Sequence, residues 1–161
     1  MVTAFEVQEM CNVRGVVALP FHPTHMDRVA CNPVDRQVFD SLPDLEERLQ
    51  FIAHHKCAWT LFYEDEPALV MGLEYKFPTC YEAWLVPGAK CYEHGTLLCR
   101  GAKRFFDKIG PKLGLLRLQI VVNVDHERAV RWADFLRFDR EGVMAKYGPE
   151  GADYYMYART Y

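Results

Sequence analysis

The chain has 161 residues and a formal charge of −3, with half of its residues hydrophobic and a quarter charged, which is typical of one globular domain with one core. The slightly acidic balance disfavours a general nucleic-acid-binding protein, which usually carries a basic excess. No apolar run approaches the roughly 20 residues of a membrane span, and residues 1–6 show no secretory signal. We therefore expect a single cytoplasmic domain over residues 1–161, without nucleic-acid or membrane partners.

The cysteines and histidines show no metal-ligand spacing. The six cysteines are widely spaced, at positions 11, 31, 57, 80, 91 and 99, which predicts reduced, mostly buried thiols rather than a zinc knuckle or a disulfide framework. Two histidine pairs, His22 with His25 and His54 with His55, lack a third and fourth ligand at useful spacing. We interpret them as surface or capping residues and predict no metal site.

The first third of the chain predicts short elements. Residues 1–11 fit no clear pattern and leave open a flexible segment or an added strand. Residues 13–21 are rich in valine and predict a first strand. Residues 23–30 predict a short helix with a proline near its start.

A serine then predicts the start of a longer helix. Ser41 precedes Asp44 by three residues, which is the spacing of a helix N-cap followed by an acid. The apolar residues after it recur at helical spacing, at Leu45, Leu49 and Ile52.

From Cys57 onward the pattern predicts strands. Residues 57–63 and 68–77 flank the polar turn 64–67, which predicts a hairpin. Residues 81–86 add a third strand. A basic helix follows from Gly95, and its apolar face is formed by Leu97, Leu98, Gly101, Ala102, Phe105, Phe106 and Ile109, with a predicted end at Gly110-Pro111.

The last third predicts a strand over residues 115–122 and a helix over residues 125–136. A closing segment at 136–142 and a tyrosine-rich strand at 153–161 complete the chain. Short helices, then a strand meander, then a strand–helix–strand unit predict an α/β fold with a mixed sheet covered by helices.

The order of elements over residues 81–142 resembles the cofactor-binding half of the GNAT acetyltransferases. The resemblance implies a mixed, mostly antiparallel central sheet with helices on both faces, and acetyl-CoA as cosubstrate. In that family the turn after the fourth strand carries Gln or Arg, two residues, Gly, one residue, then Gly or Ala, and its N–H groups bind pyrophosphate at a helix start. Here Lys90 takes the basic position, Gly95 matches the last glycine, and Glu93 stands where the first glycine belongs.

The second helix of the unit also matches the family. His126 occupies a position that is often asparagine, and Ala129 matches the family's alanine. Ala133 stands where a tyrosine commonly protonates the departing thiolate. Because alanine cannot donate a proton, another group or water would have to do so.

The resemblance implies a set of site residues. The backbone of Leu85 and Val86 would hold the pantetheine arm, and the Lys90 to Thr96 loop would hold the pyrophosphate. The implied cofactor-binding residues are Leu85, Val86, Lys90, His94, Gly95, Thr96, His126 and Ala129. Amine acetylation also needs a base near the centre of the sheet, for which Glu82 is the first candidate and Glu74 the second.

A narrower resemblance is to the GNAT-like proteins of short-tailed bacteriophages. The matching features are the strand of Trp84, the run 100–106 and the helix end at Phe135-Leu136. That branch implies an alternative, a GNAT-fold phage or prophage structural or interaction protein without catalysis, which Glu93 and Ala133 favour. A third hypothesis is a thiol enzyme built on Cys91, which would need His94 or His126 as a base.

The leading hypothesis is an acetyl-CoA-dependent N-acetyltransferase that transfers acetyl to an unidentified amine by direct attack. The acceptor would be a small molecule or a peptide amine. The tyrosine-rich last strand would also offer a sheet edge through which a homodimer could form.

Overall fold

The computed structural model describes residues 2–29 and 33–161. Their helices and strands are, in chain order, α1 Ala4–Cys11, β1 Val16–Pro20, α2 Thr24–Arg28, α3 Pro33–Asp40, α4 Leu45–His55, β2 Ala58–Tyr63, β3 Glu66–Phe77, β4 Cys80–Pro87, α5 Ala89–Glu93, α6 Gly95–Leu113, β5 Arg117–Asn123, α7 Glu127–Phe135, β6 Asp139–Met144 and β7 Tyr154–Thr160, with a 3-10 turn at Pro149–Gly151.

The described strands form a seven-stranded sheet in the order β1-β2-β3-β4-β5-β7-β6. Every neighbouring pair is antiparallel except β4 and β5, which are parallel. The predicted mixed, mostly antiparallel sheet is confirmed. The expectation that the tyrosine-rich last strand forms an edge is wrong, because β7 pairs with β5 on one side and β6 on the other. Within the described residues the sheet edges are β1 and β6.

Helices cover both faces of the sheet, because the strands alternate side chains between the faces. We call the face that carries Leu73 and Leu118 the front face and the face that carries Val70 and Val86 the back face. The front face packs against α1, α6 and α7, with Phe105 and Ile109 of α6 fully buried. The back face packs against α2, α3 and α4 through Met26, Phe39, Leu49 and Ile52.

The N-terminal segment forms the helix α1, so neither a flexible segment nor an added strand is correct. Thr3 caps it: the Thr3 hydroxyl accepts from the Glu6 N–H at 3.2 Å, and the Glu6 carboxylate accepts from the Thr3 N–H at 2.8 Å. Lys112 of α6 donates to the same carboxylate at 2.7 Å. Because Val7 and Cys11 are buried on the front face, this helix is fixed by packing as well as by its cap.

We expect Glu6→Gln to make the free energy of unfolding less dependent on pH. The Lys112 ammonium and the Thr3 donors hold the pKa of Glu6 at about 2, below its ordinary 4.5. Since the folded-state pKa is depressed, the stabilisation is fully present above about pH 4.5 and is lost as the pH falls toward 2. Urea unfolding at pH 2.5 and pH 6 measures the difference. The exposed Glu9 of the same helix provides the control variant Glu9→Gln, and equal pH dependence in both variants would contradict the assignment.

Three further boundaries differ from the sequence prediction. Ser41 does not cap α4; its hydroxyl donates to the Val38 carbonyl at 2.7 Å, at the end of the unpredicted helix α3. The helix α6 continues through Pro111, which lies in the last turn where only one backbone bond is lost, and ends at Leu113, with Gly114 as its C-cap at φ +62°. Pro67 belongs to β3, and the turn before it is made by Glu64 and Asp65 with positive φ.

Candidate functional site

The strands β4 and β5 separate in the middle of the sheet. They pair only at Cys80 with Arg117, Tyr81 with Leu118 and Glu82 with Gln119. Beyond that last pair, β4 runs on to Pro87 along β3, and β5 runs on to Asn123 along β7. In that region the facing edges of β4 and β5 pair with no strand of the described sheet. Their backbone groups are therefore free to bind an extended ligand in strand-like fashion.

The gap between the strands opens into a cavity of about 1650 Å³ that reaches both faces of the sheet. This volume exceeds the usual few hundred to about 1,000 Å³ of a small-molecule site, because the cavity is open to solvent and extends along both faces. Seven of the nine predicted site residues line it, namely Glu82, Leu85, Val86, Gly95, Thr96, His126 and Ala129. The structure therefore brings most of the predicted site together.

Lys90 and His94 do not line the cavity. The Lys90 ammonium lies 2.9 Å from a Glu64 carboxylate oxygen and 3.3 Å from one of Glu93. The His94 ring packs against the Tyr63 ring with centroids 4.7 Å apart. Both side chains thus contact the β2–β3 hairpin, and Lys90 also contacts Glu93 of its own helix. The Glu93 carboxylate is therefore paired with the Lys90 ammonium.

The segment predicted as an open glycine loop is the short helix α5. Several backbone N–H groups of this segment already donate to carbonyls of the protein. The Gly88 N–H donates to the Ala68 carbonyl of β3 at 2.8 Å. The Cys91 N–H donates to the Gly88 carbonyl and the His94 N–H to the Lys90 carbonyl, each at 3.0 Å. A Cβ at Gly88 would lie 2.7 Å from the Pro67 carbonyl oxygen, so this glycine permits close contact with β3. Fewer donors of this segment are therefore left for an anion.

The N-terminus of α6 is the stronger anion-binding feature. This helix is 19 residues long, and its start carries the positive end of the helix dipole. The Leu97 and Leu98 N–H groups bond to the His94 carbonyl at 3.0 and 3.1 Å. The N–H groups of Gly95 and Thr96 are therefore the ones that the helix start offers to an anion. The helix begins at Gly95, where an added Cβ would meet no atom within 4 Å. Gly95 and Thr96 line the cavity, so a phosphate can approach this helix start closely.

Glu82 lies where β4 and β5 part. Its carboxylate accepts from the Gln119 amide at 2.8 Å, and the Lys76 ammonium lies 3.7 Å away. The Glu82 side chain is only 17% exposed, whereas Glu74, opposite it on β3, is 59% exposed and pairs with Lys76 at 3.0 Å. Glu82 is thus the more enclosed and better oriented of the two candidate bases. The role of Gln119 was not predicted, although the alternation of β5 places it on the back face with Glu82.

Two further residues of the predicted site region, His126 and Ala133, lie at the start and in the middle of α7. The His126 ring nitrogen Nδ1 accepts from the Ala129 N–H at 3.4 Å, so His126 caps the helix. Ala133 is 1% exposed within the front-face core. Because Ala133 lies in that core and does not line the cavity, the position of the family tyrosine supplies no proton donor here.

The thiol hypothesis requires a thiolate, and Cys91 is poorly suited to form one. Burial raises the pKa of Cys91 to about 12, and burial also raises the pKa of Cys99. A nucleophilic cysteine needs the opposite shift. The five described cysteines are free, and Cys31 lies outside the described residues.

Charged residues of both signs line the cavity. Four of the five carboxylates lie on α3, α4, β3 and β4, at Asp35, Glu47, Glu74 and Glu82, and the fifth, Asp44, directly precedes α4. Three of the four arginines lie on α6 and α7, at Arg100, Arg128 and Arg131, and the fourth is Arg48 on α4. The carboxylates of α4, β3 and β4 favour a cation at the back face. Asp35 lies close enough to Cys91 of α5 to contribute to its raised pKa, so the α5 end of the cavity carries both signs of charge.

The described residues contain no cluster of three or more histidine, cysteine, aspartate or glutamate side chains that could hold a metal ion. No helix in the described ranges has the length and apolar character needed to cross a membrane.

Comparisons with known proteins identify the fold. No protein-family model matches the sequence, and no curated protein matches it. Among solved structures, a GNAT-family acetyltransferase from Bacillus anthracis is similar with a TM-score of 0.72 and 16% identity, over 92% of this chain and 96% of that one.

Two similar structures contain acetyl-CoA. The microcin C7 self-immunity acetyltransferase MccE, in complex with acetyl-CoA and AMP, has a TM-score of 0.67 and 14% identity, over 97% of this chain and 95% of that one. A putative acetyltransferase of Salmonella typhimurium, yncA, with its cofactor acetyl-CoA, has a TM-score of 0.66 and 10% identity, over 91% and 94%. The chain has the GNAT fold, as its sequence predicted.

Proposed function

We propose that this protein is an acetyl-CoA-dependent N-acetyltransferase that transfers acetyl to an amine by direct attack. The observation that carries the proposal is the gap between β4 and β5, which opens beside the start of α6 and has a carboxylate, Glu82, at its apex. The similar structures that contain acetyl-CoA support it. We further propose a cytoplasmic location, in keeping with the free described cysteines.

The residues around the gap fit the cofactor. Leu85 and Val86 offer an unpaired backbone edge for the amides of the pantetheine arm, and Gly95 and Thr96 offer the start of α6 for the pyrophosphate. Ala129 of α7 lines the opposite wall. Acetyl-CoA would supply an activated thioester, and the protein would supply its orientation next to Glu82.

The acceptor amine would enter from the back face. The carboxylates there attract an ammonium ion, and Glu82, oriented by Gln119, takes the proton that must leave before or during attack. The amine nitrogen then bonds to the thioester carbonyl carbon, and the carbon–sulfur bond breaks. Since Ala133 cannot protonate the departing thiolate, another group or water does so.

The alternative is a GNAT-fold phage or prophage protein with a structural or interaction role and no catalysis. Two observations favour it: Lys90 is held by two carboxylates, and the tyrosine position is a buried alanine. The two functions differ in one measurable property, which is turnover of acetyl-CoA.

The proposed function is tested by incubating the protein with acetyl-CoA and a panel of small and peptide amines while the release of the CoA thiol is followed. We expect at least one amine to accelerate release over the amine-free rate, with an acetylated amine detected by mass spectrometry. Binding of acetyl-CoA without turnover for any amine class would favour the structural alternative.

We expect Cys91→Ser to retain acetyl transfer to within a few-fold. Direct attack needs no enzyme nucleophile, and the buried thiol has its pKa raised to about 12. The rate with an active amine measures this, and mass spectrometry of the protein after acetyl-CoA alone should show no acetylated enzyme. Loss of activity in Cys91→Ser together with an acetylated Cys91 in the unaltered protein would restore the thiol hypothesis.

A further inference from the structure

The negative charge of the cofactor needs partners that the predicted loop does not provide. CoA carries a pyrophosphate and a 3′-phosphate, while the chain has a formal charge of −3. Lys90, the predicted basic residue, is already paired with Glu64 and Glu93, and several N–H groups of the 88–94 segment are used internally. The start of α6 can serve the pyrophosphate, which leaves the 3′-phosphate without a predicted partner.

Arginines on two helices, α6 and α7, line the cavity. Arg128 is the second residue of α7, and its guanidinium lies over the Tyr92 ring at 5.6 Å from the centroid. This stacking links α7 to α5 and restricts the arginine, which lowers the entropy lost when it binds a ligand. Arg131 lies one turn further on and makes a 3.9 Å contact with Glu127, with both side chains at least 70% exposed. Arg100 lines the same cavity from α6.

We propose that Arg128, assisted by Arg131 and Arg100, binds the 3′-phosphate of CoA, an inference that rests on the proposed function. A guanidinium presents two parallel donors to a phosphate, and such charge-assisted bonds are among the strongest that an exposed site can make. The arginines thereby supply phosphate contacts that the 88–94 segment, with Glu93 at the position of the first family glycine, does not offer. The Tyr92 ring holds Arg128 in position. This site makes the protein selective for CoA over its dephosphorylated form.

The test is calorimetric titration of the full chain with CoA and, separately, with 3′-dephospho-CoA at low salt. We expect the unaltered protein to bind CoA about 10- to 100-fold more tightly, which is the effect of one or two charge-assisted bonds. In the double variant Arg128→Ala/Arg131→Ala the ratio should fall toward one. Arg128→Lys keeps the charge but loses the parallel donors and the stacking on Tyr92, so its ratio should lie between those of the unaltered protein and the double variant.

The exposed Arg14, outside the cavity lining, gives the matched control Arg14→Ala, which should leave the ratio unchanged. Thermal unfolding of each variant verifies the fold. Equal affinity of the unaltered protein for both ligands, or an unchanged ratio in the double variant, would overturn the 3′-phosphate site while leaving the proposed function intact. Failure of the unaltered protein to bind either ligand at millimolar concentration would overturn both.

Discussion

Replacing Glu82 with glutamine is expected to lower kcat for acetyl transfer about 100- to 10,000-fold, the usual range for loss of a general base. Glutamine has nearly the same shape and can still bond to Gln119, but it cannot accept the proton of the attacking amine. Glu82 is enclosed at the point where β4 and β5 part. Because the change leaves the cofactor-binding edges untouched, the affinity for acetyl-CoA should stay the same. Steady-state kinetics and calorimetry measure the two effects.

Glu74→Gln is the matched control for this prediction. Glu74 lies directly opposite Glu82 on β3 and also pairs with Lys76, but it is far more exposed. We expect its loss to change kcat by less than about tenfold, since an exposed carboxylate is a poorly oriented base. If Glu74→Gln lowered kcat as much as Glu82→Gln or more, the assignment of the base would have to move to β3.

Gly95→Trp is expected to abolish acetyl-CoA binding, with an affinity loss of at least about 100-fold. The space above Gly95 is open, with no atom within 4 Å of an added Cβ, so the indole would occupy the cavity at the start of α6 without disturbing the core. The fold should be retained, because glycine is a poor helix former that tryptophan replaces without a propensity cost. Calorimetry measures the affinity and thermal unfolding verifies the fold.

A second open glycine controls for the size of the new side chain. Gly142 on β6 also has no atom within 4 Å of an added Cβ, and it lies outside the cavity. Gly142→Trp should therefore bind acetyl-CoA as the unaltered protein does. Normal binding in Gly95→Trp would show that the cofactor does not reach α6 at this point.

The sequence predicted the sheet better than the surrounding helices. The alternating apolar residues of β2 to β4 and the periodic face of α6 depend on burial, which strongly constrains residue type. By contrast, the sequence pattern does not predict α1, although Thr3 and Glu6 form a capping box, because its eight residues give too short a periodic signal. Ser41 has the side chain of an N-cap residue, but its hydroxyl donates instead to the Val38 carbonyl at the end of the preceding helix α3.

The candidate site is only partly predictable from the sequence. Of the residues that the family resemblance implies, Glu82, Val86 and Ala129 lie on regular strands and a helix and do meet at one cavity. The motif-based assignment for Lys90 is not matched by its geometry, because its partner Glu64 comes from a turn 26 residues away in sequence. Such long-range pairing leaves no mark in a local motif. Arg128 belongs to no motif that the sequence shows, and its place in the cavity lining and its contact with Tyr92 are visible only in the structure.

Calorimetric titration of the unaltered protein with acetyl-CoA tests the central claim most directly, because every proposed role depends on a cofactor in the gap between β4 and β5. We predict saturable binding of one acetyl-CoA per chain with a dissociation constant in the micromolar range. The absence of binding heat at millimolar acetyl-CoA, confirmed by an unchanged thermal unfolding temperature, would contradict the acetyltransferase and leave a GNAT fold with a different role.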